Sequence, residues 1–384
     1  MVPISKQTDE IIVVTICSIG ILYNKIIAVA SFLLYNIRME KQYYDGTKLL
    51  SLKDINGNKP EIYISTSNRS AGKTTFFGRW FINRFLKHGE KFILIYRFNY
   101  ELSDVADKFF KELHRLFFPD HTLKSISRNK NVYHELFLDE KSCGYAIALN
   151  NADQIKKLSH MFSDAERMLF DEFQSEINHY CHDEVKKFQS IHTSIARGNG
   201  EQVKYLPCYL LGNFVSLLNP YYIALNVAHR IQANTKYLRG NGFVIEQGFY
   251  ENVADQQKQS AFNRAFAGSD YTRFASEKIY LNDNKTFIAK PSGRSRYIIT
   301  IKQNGKFYGL REYTDERIIY CSRSYDESFP DIICTETKDH DIDFLMLRNN
   351  DLFLQTLRKY FEFGCLRFQD LECKEAIFNL LKYT

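Results

Sequence analysis

The chain has 384 residues, 45% of them hydrophobic and 25% charged, which is apolar enough for two packed domains and excludes a disordered or fibrous protein. A formal charge of +6 suits a partner with a phosphate backbone without requiring one. The eight cysteines form no C-x-x-C pair, so the pattern excludes a disulfide framework and points to a reducing compartment.

In chain order, residues 11–23 and 26–37 are two apolar runs split by Asn24 and Lys25. Together they are long enough to cross a bilayer, but the lysine would fall near its centre, where charge is costly. Three readings stay open for residues 1–38: a membrane anchor, an apolar helix that packs on protein, or codons upstream of a natural start at Met39.

From Met39 the pattern is α/β. Residues 62–66 read as a buried strand, followed by a loop that ends Gly72-Lys73-Thr74 and by a helix over 73–88. A strand, a glycine-lysine-threonine turn and a helix form a phosphate-binding loop. Backbone N–H groups wrap the phosphates, the lysine bridges them, the threonine hydroxyl holds Mg²⁺, and the helix adds its positive end. Ser67, Asn68, Arg69, Ser70, Ala71, Gly72, Lys73 and Thr74 are therefore the expected nucleotide-binding residues. The usual pattern begins with glycine, and Ser67 stands there instead; it fits only if its φ stays negative.

Residues 92–96 (F-I-L-I-Y) read as a strand buried on both faces, and 101–116 as an amphipathic helix. Residues 132–138 and 144–149 read as an inserted hairpin. An apolar run ends in Asp171-Glu172, where an acidic strand tip can hold the metal shell through Asp171 and polarise an attacking water through Glu172. H-Y-C-H at 179–182 lacks further ligands and is assigned no metal. A helix over 183–196 leads to Arg197 in a glycine-flanked loop. This arginine is either solvated or able to reach a neighbour's nucleotide. The strand over 205–211 ends at Asn213, which either senses the γ-phosphate or simply ends the strand.

Residues 226–282 read as polar and mostly helical, with the clearest helix over 255–267. Strands over 296–302, 306–312 and 317–322 form a meander turned at Asn304-Gly305, and helices over 352–363 and 372–382 close the chain. Lys285, Lys290, Arg294, Arg296 and Lys302 suit either a nucleic-acid surface or a solvated face.

The N-R-S-A-G-K-T loop, I-N-R-F-L-K-H-G-E-K-F-I at 82–93, E-L at 101–102, F-D-E-F at 170–173, G-N-F-V-S-L-L-N-P-Y at 212–221 and G-C-L-R-F at 364–368 occur in that order. This set resembles the DNA-packaging (encapsidation) ATPases of small tailed bacteriophages, ring motors akin to large terminase subunits. The resemblance runs from Met39 to near the C-terminus, and similar proteins start at a methionine matching Met39.

The resemblance implies an ASCE-type P-loop NTPase, with a parallel sheet covered by helices on both faces, and a smaller α+β, RNase H-like C-terminal domain. The implied division is an apolar extension over 1–38, an ATPase domain over 39–225, a helical linker over 226–282 and a vestigial nuclease-like domain over 283–384. It implies ATP and Mg²⁺ as cofactors. Lys73 and Thr74 match the phosphate and metal ligands, Asp171 the metal-shell acid and Glu172 the catalytic glutamate. Arg69 matches an arginine within the loop, Arg197 the arginine acting in trans, and Asn213 the residue coupling hydrolysis to movement.

The implied partners are double-stranded DNA, the capsid portal or connector, a packaging RNA and further copies of the chain in a pentameric ring. The implied setting is the host-cell cytoplasm, transiently attached to the procapsid. Arg97, Lys124, Arg128 and Lys130 are candidate DNA contacts. No nuclease activity is expected, because residues 297–303 carry no acid and Glu312, Asp315 and Glu316 come late in the next strand and turn. A P-loop kinase and a non-catalytic nucleic-acid scaffold are the alternatives.

Overall fold

The computed structural model describes residues 44–381 apart from 178, 198–201, 229, 232–233, 268, 277–279, 281–286, 335–336, 343 and 347–351. The apolar segment 1–38, Met39 and Lys285 lie outside the described residues. Among the described residues no helix is long and apolar enough to cross a membrane.

The chain divides into two compact units. Of the described residues, one holds those up to Phe173 together with those within Tyr180–Phe214 and Lys236–Ile279; the other holds those within Gln174–His179, Val215–Thr235 and Tyr280–Thr384. The strands are β1 Ile62–Ser67, β2 Lys91–Tyr96, β3 Leu123–Arg128, β4 Tyr133–Leu138, β5 Lys141–Ala148, β6 Ala165–Phe170, β7 Cys208–Asn213, β8 Tyr237–Gly240 and β9 Phe243–Gln247 in the first unit. Helices of this unit include α1 Thr47–Ser51, α2 Lys73–His88, α3 Val105–Phe117, α4 Ala152–Lys157 and α5 Glu184–Ile195.

The nine strands order as β3-β4-β5-β2-β6-β7-β1-β9-β8. The central ones are parallel: β2 to β6, β6 to β7, β7 to β1 and β1 to β9. The strand before the phosphate loop is thus separated from the acidic strand β6 by β7, the arrangement that defines the ASCE class. Ser67 pairs with Asn213, so β1 and β7 end at one level, while β6 ends at Phe170 opposite Leu210, three residues earlier, and Asp171-Glu172 follows alongside the last residues of β7. Ligands bind at that carboxyl edge of an open parallel sheet.

Continuous apolar runs build this sheet because helices cover it. In β2 only the two end residues keep partial exposure. The buried stripe of α2 is Phe77, Phe81 and Ile82, and it meets Phe92 and Tyr209. Gly78 lets α3 close in, since a Cβ there would lie 2.8 Å from Leu113. Gly89 caps α2 in the left-handed region at φ 70°.

In the second unit β10 Arg296–Gln303, β11 Lys306–Tyr313 and β12 Ile318–Ser322 form the expected meander, with β13 Ile332–Cys334 and β14 Leu345–Met346 following in parallel beyond β10. Three antiparallel strands followed by two parallel to the first make the RNase H-like arrangement. β15 Leu366–Phe368 adds to the far edge.

Three expectations change. Residues 226–282 are not a helical linker. β8 and β9 form a hairpin there, and β9 runs parallel to β1, so the main sheet continues past residue 225. The fragment F-V-I-E-Q is too short for its period to declare a strand. The helix expected over 255–267 is two, Glu251–Gln259 and Ala261–Ala265, because Ser260 leaves the helical conformation and caps the second through Asn263 N. The inserted hairpin is a three-strand ribbon, β3-β4-β5, whose last strand joins β2 in parallel.

Gly144 in β5 faces Phe92 across that junction, and a Cβ would lie 2.1 Å from the Phe92 carbonyl oxygen. Backbone cannot yield as a side chain does. Gly144→Ala is expected to lower stability by ~1–3 kcal/mol, read as a reduced urea midpoint with unchanged slope.

Candidate active site

The residues after β1 form the loop, and its backbone departs from the usual form where the sequence does. Ser67 keeps negative φ, as its fit required, whereas Ser70 (φ 62°) and Gly72 (φ 96°) take the left-handed positions. Ser67 also contributes chemistry a glycine lacks, because its hydroxyl accepts a hydrogen bond from Lys73 Nζ at 2.7 Å.

Around the loop, Asn68 clamps the backbone of Tyr250, donating to its carbonyl at 3.2 Å and accepting from its N–H at 3.0 Å. Tyr44 N donates to Ala71 O at 2.8 Å. Arg69 turns away to the Tyr271 hydroxyl and ring.

Lys73 opens α2 and is only 6% exposed. Its ammonium also reaches Asn213 Oδ1 at 3.3 Å. Burial pulls its pKa down to about 8, opposed by the negative charge of Asp171, Glu172 and Glu246. Thr74 donates its hydroxyl to Asp171 Oδ2 at 2.8 Å. Burial raises the Asp171 pKa, while Thr74, Lys73 and the Glu172 N–H hold it down. The side chain keeps a face open to the cleft, yet protein surrounds it on its other sides. Glu172 is exposed and left-handed at φ 54°, a costly conformation for a side chain with a Cβ.

A cleft of 1060 Å³ runs over these groups, lined by Arg69–Thr75, Asp171, Glu172 and Asn213, with Tyr44, Phe76 and Trp80 among its walls. The structure therefore brings together the loop residues, the acidic tip and Asn213. Arg197 is exposed beyond the end of α5 and is not among the residues lining this cleft.

One expectation fails. Arg97 was a candidate DNA contact, but it is 8% exposed, with its guanidinium bound to Glu184 Oε2 at 2.8 Å and Phe173 O at 2.8 Å, so it has no surface to offer a duplex. Lys124, Arg128 and Lys130 lie together on the β3–β4 hairpin, where Lys124 meets Glu140 and Arg128 meets Glu135.

The sequence also hid Glu246. This β9 carboxylate is 3% exposed and accepts from Tyr44 at 2.7 Å, Tyr237 at 3.0 Å and Ser65 at 3.4 Å. Burial raises its pKa. The one signal was an acid inside the apolar run F-V-I-E-Q.

A glycine-poor phosphate loop, an intervening strand and an acidic tip define a P-loop NTPase. Residues 39–384 match the family described as Podovirus DNA encapsidation protein (Gp16), and the chain belongs to that family. It is 26% identical over 344 residues to a protein named DNA packaging protein from Bacillus phage phi29, covering 88% of this chain and 97% of that one. It is also 26% identical over 320 residues to the protein of that name from Bacillus phage B103, covering 82% and 94%. A chain in the bacteriophage Phi-29 viral genome packaging motor assembly shares the fold at TM-score 0.68 and 24% identity, covering 89% of this chain and 99% of that one. A chain of the Phi-28 gp11 DNA packaging motor does so at TM-score 0.54 and 15% identity, covering 88% and 97%.

The depressed Lys73 pKa carries a stability sign. The unfolded chain keeps that proton into the ordinary lysine range, while the folded chain releases it near pH 8. This position therefore costs stability at pH 7, and the cost fades as pH climbs from about 8 to above 10. Lys73→Met is expected to stabilise the unliganded protein at pH 7, by at most about 3 kcal/mol, and to abolish stabilisation by ATP. Thermal unfolding with and without nucleotide checks both.

Proposed function

We propose that this chain is an ATP-driven motor that moves double-stranded viral DNA into a procapsid. The observation that carries the reading is the single cleft shared by the Lys73 ammonium, the Thr74–Asp171 pair and Glu172. Membership of the encapsidation family and relatives named DNA packaging proteins support the direction of the work.

In this reading the loop N–H groups and Lys73 bind the β- and γ-phosphates of ATP. Lys73 then exchanges Ser67 and Asn213 for phosphate oxygens, and its buried charge gains the partner it lacks. The Thr74 hydroxyl and Asp171 carboxylate are hard oxygen donors already in contact, a set that fits Mg²⁺. When bound there, the ion neutralises charge on the phosphates. Glu172 accepts a proton from the attacking water, and Asn213, at the tip of the strand between, reports the γ-phosphate to both walls.

Arg197 lies outside its own cleft and reaches a neighbouring copy's ATP in a ring, pentameric by resemblance. The duplex is held through its phosphates, so binding is independent of sequence and weakens with salt. The hairpin cations Lys124, Arg128 and Lys130 are candidate contacts. The portal and a packaging RNA complete the assembly, which works in the host-cell cytoplasm on the procapsid.

The second unit does not cut DNA in this reading. Glu312 is engaged by Arg296 and Tyr360, and Glu316 by Ser292, so neither acid is poised with the other around a metal.

Glu172→Gln is expected to lower phosphate release by ~10²–10⁴-fold while ATP still binds. An unchanged rate would remove Glu172 from its role, and transfer of phosphate to another molecule would replace the motor reading by a kinase. For Arg197, wild-type subunits are titrated with Arg197→Ala subunits. DNA-stimulated turnover should fall faster than the wild-type fraction, whereas a strictly proportional fall would place the arginine's action within its own subunit.

A further inference from the structure

One buried cation that this scheme leaves unused is Arg97, just past the end of β2. Its guanidinium spans three partners: Nε to Glu184 Oε2 at 2.8 Å, and Nη2 to Phe173 O at 2.8 Å and to Glu172 O at 3.4 Å. The rings of Phe170 and Tyr180 lie 5.4 and 5.0 Å from its central carbon. Its own backbone is fixed as well, since the N–H donates to Glu101 Oε2 at 2.8 Å and the carbonyl accepts from Asn150 at 3.1 Å. Glu184, on the first turn of α5, is 3% exposed and also accepts from Cys181 N at 3.0 Å. A cavity of 280 Å³ is lined by Arg97 and Glu101 together with Thr74, Asp171 and Glu172.

We propose that Arg97, braced by Glu184, is the positioning residue that holds the turn after β6 and so aims the Glu172 carboxylate. The proposal rests on the reading of Glu172 as the base. Three observations converge on it. Glu172 is left-handed without being glycine, so surrounding bonds must hold it there. The held atoms are the carbonyls of Glu172 and of the residue after it, which set the direction of the turn. The holding group is a planar fork that donates along separate directions, which a lysine cannot reproduce. Both charges of the pair are buried, so neither partner can be lost without leaving the other exposed to a dry interior.

The experiment uses the full chain carrying Arg97→Lys or Glu184→Gln. Phosphate release is measured with duplex DNA, the dissociation constant of a fluorescent ATP analogue is titrated, and amide hydrogen exchange is followed over residues 171–181 without nucleotide. Arg97→Lys is expected to lower kcat by about 10²-fold, with KM and the analogue's affinity changed by less than about threefold. Exchange at 171–181 should speed up, and Glu184→Gln should move every readout the same way.

A lowered melting point with kcat and exchange unchanged would overturn the proposal, because that is what a merely structural ion pair does. So would parallel losses of affinity and kcat. If Arg97→Lys fails to fold, Glu184→Gln decides by the same criteria. If the wild-type chain releases no phosphate, the ATPase reading fails by itself, and unchanged exchange over 171–181 in the variants still refutes the brace.

Discussion

The structure turns on a positive charge set at the floor of a cleft and covered by protein on nearly every side. Lys73 sits at the start of α2, almost fully covered, with only a hydroxyl and an amide oxygen in direct contact. A lone ammonium in a dry site is unfavourable, and Asp171, Glu172 and Glu246 relieve that only from a distance. The neighbourhood is organised by this tension. The parallel order of β1, β7 and β6 brings the acids to the lysine, and β9 sets Glu246 behind it. A polyanion entering the cleft resolves what the protein alone leaves unresolved.

Strength of pattern decided what could be read from the sequence. Helices α2 and α5, the apolar cores of β2 and β7 and the β10–β12 meander were legible because their periods are regular and their stop signals strong, as at Gly89 and Asn304-Gly305. The Lys73–Thr74 and Asp171–Glu172 motifs were legible because phosphate chemistry restricts both residue type and spacing. β8 and β9 were not. A four-residue and a five-residue strand carry too few periods, and β9 belongs to the sheet only through pairing with β1, far back in the chain. Arg97 was misread for a related reason. A cation following an apolar strand looks solvent-facing until the partner that buries it, Glu184, is found 87 residues later.

The two unusual loop features compensate each other. Losing the first glycine removes backbone freedom at residue 67 but supplies a hydroxyl to Lys73, while the left-handed turn the loop still needs moves to Ser70 and Gly72. Asn68 and Tyr44 then tie the loop to Tyr250 and Glu246, so its shape depends on the far side of the sheet as well as on its own sequence.

Helix α5 begins at the buried Glu184 and ends two residues before Arg197. Twelve residues make a rod of about 18 Å. Both ends of that rod are anchored: Glu184 is buried at its root, and Ile195 and Ala196 are buried at its tip, where Lys204 N donates to Ala196 O at 2.7 Å. A helix fixed at both ends carries a shift at one anchor to the other as a single piece. The place of Arg197, two residues past the helix, is thereby tied to the same element whose first turn holds Glu184 against Arg97.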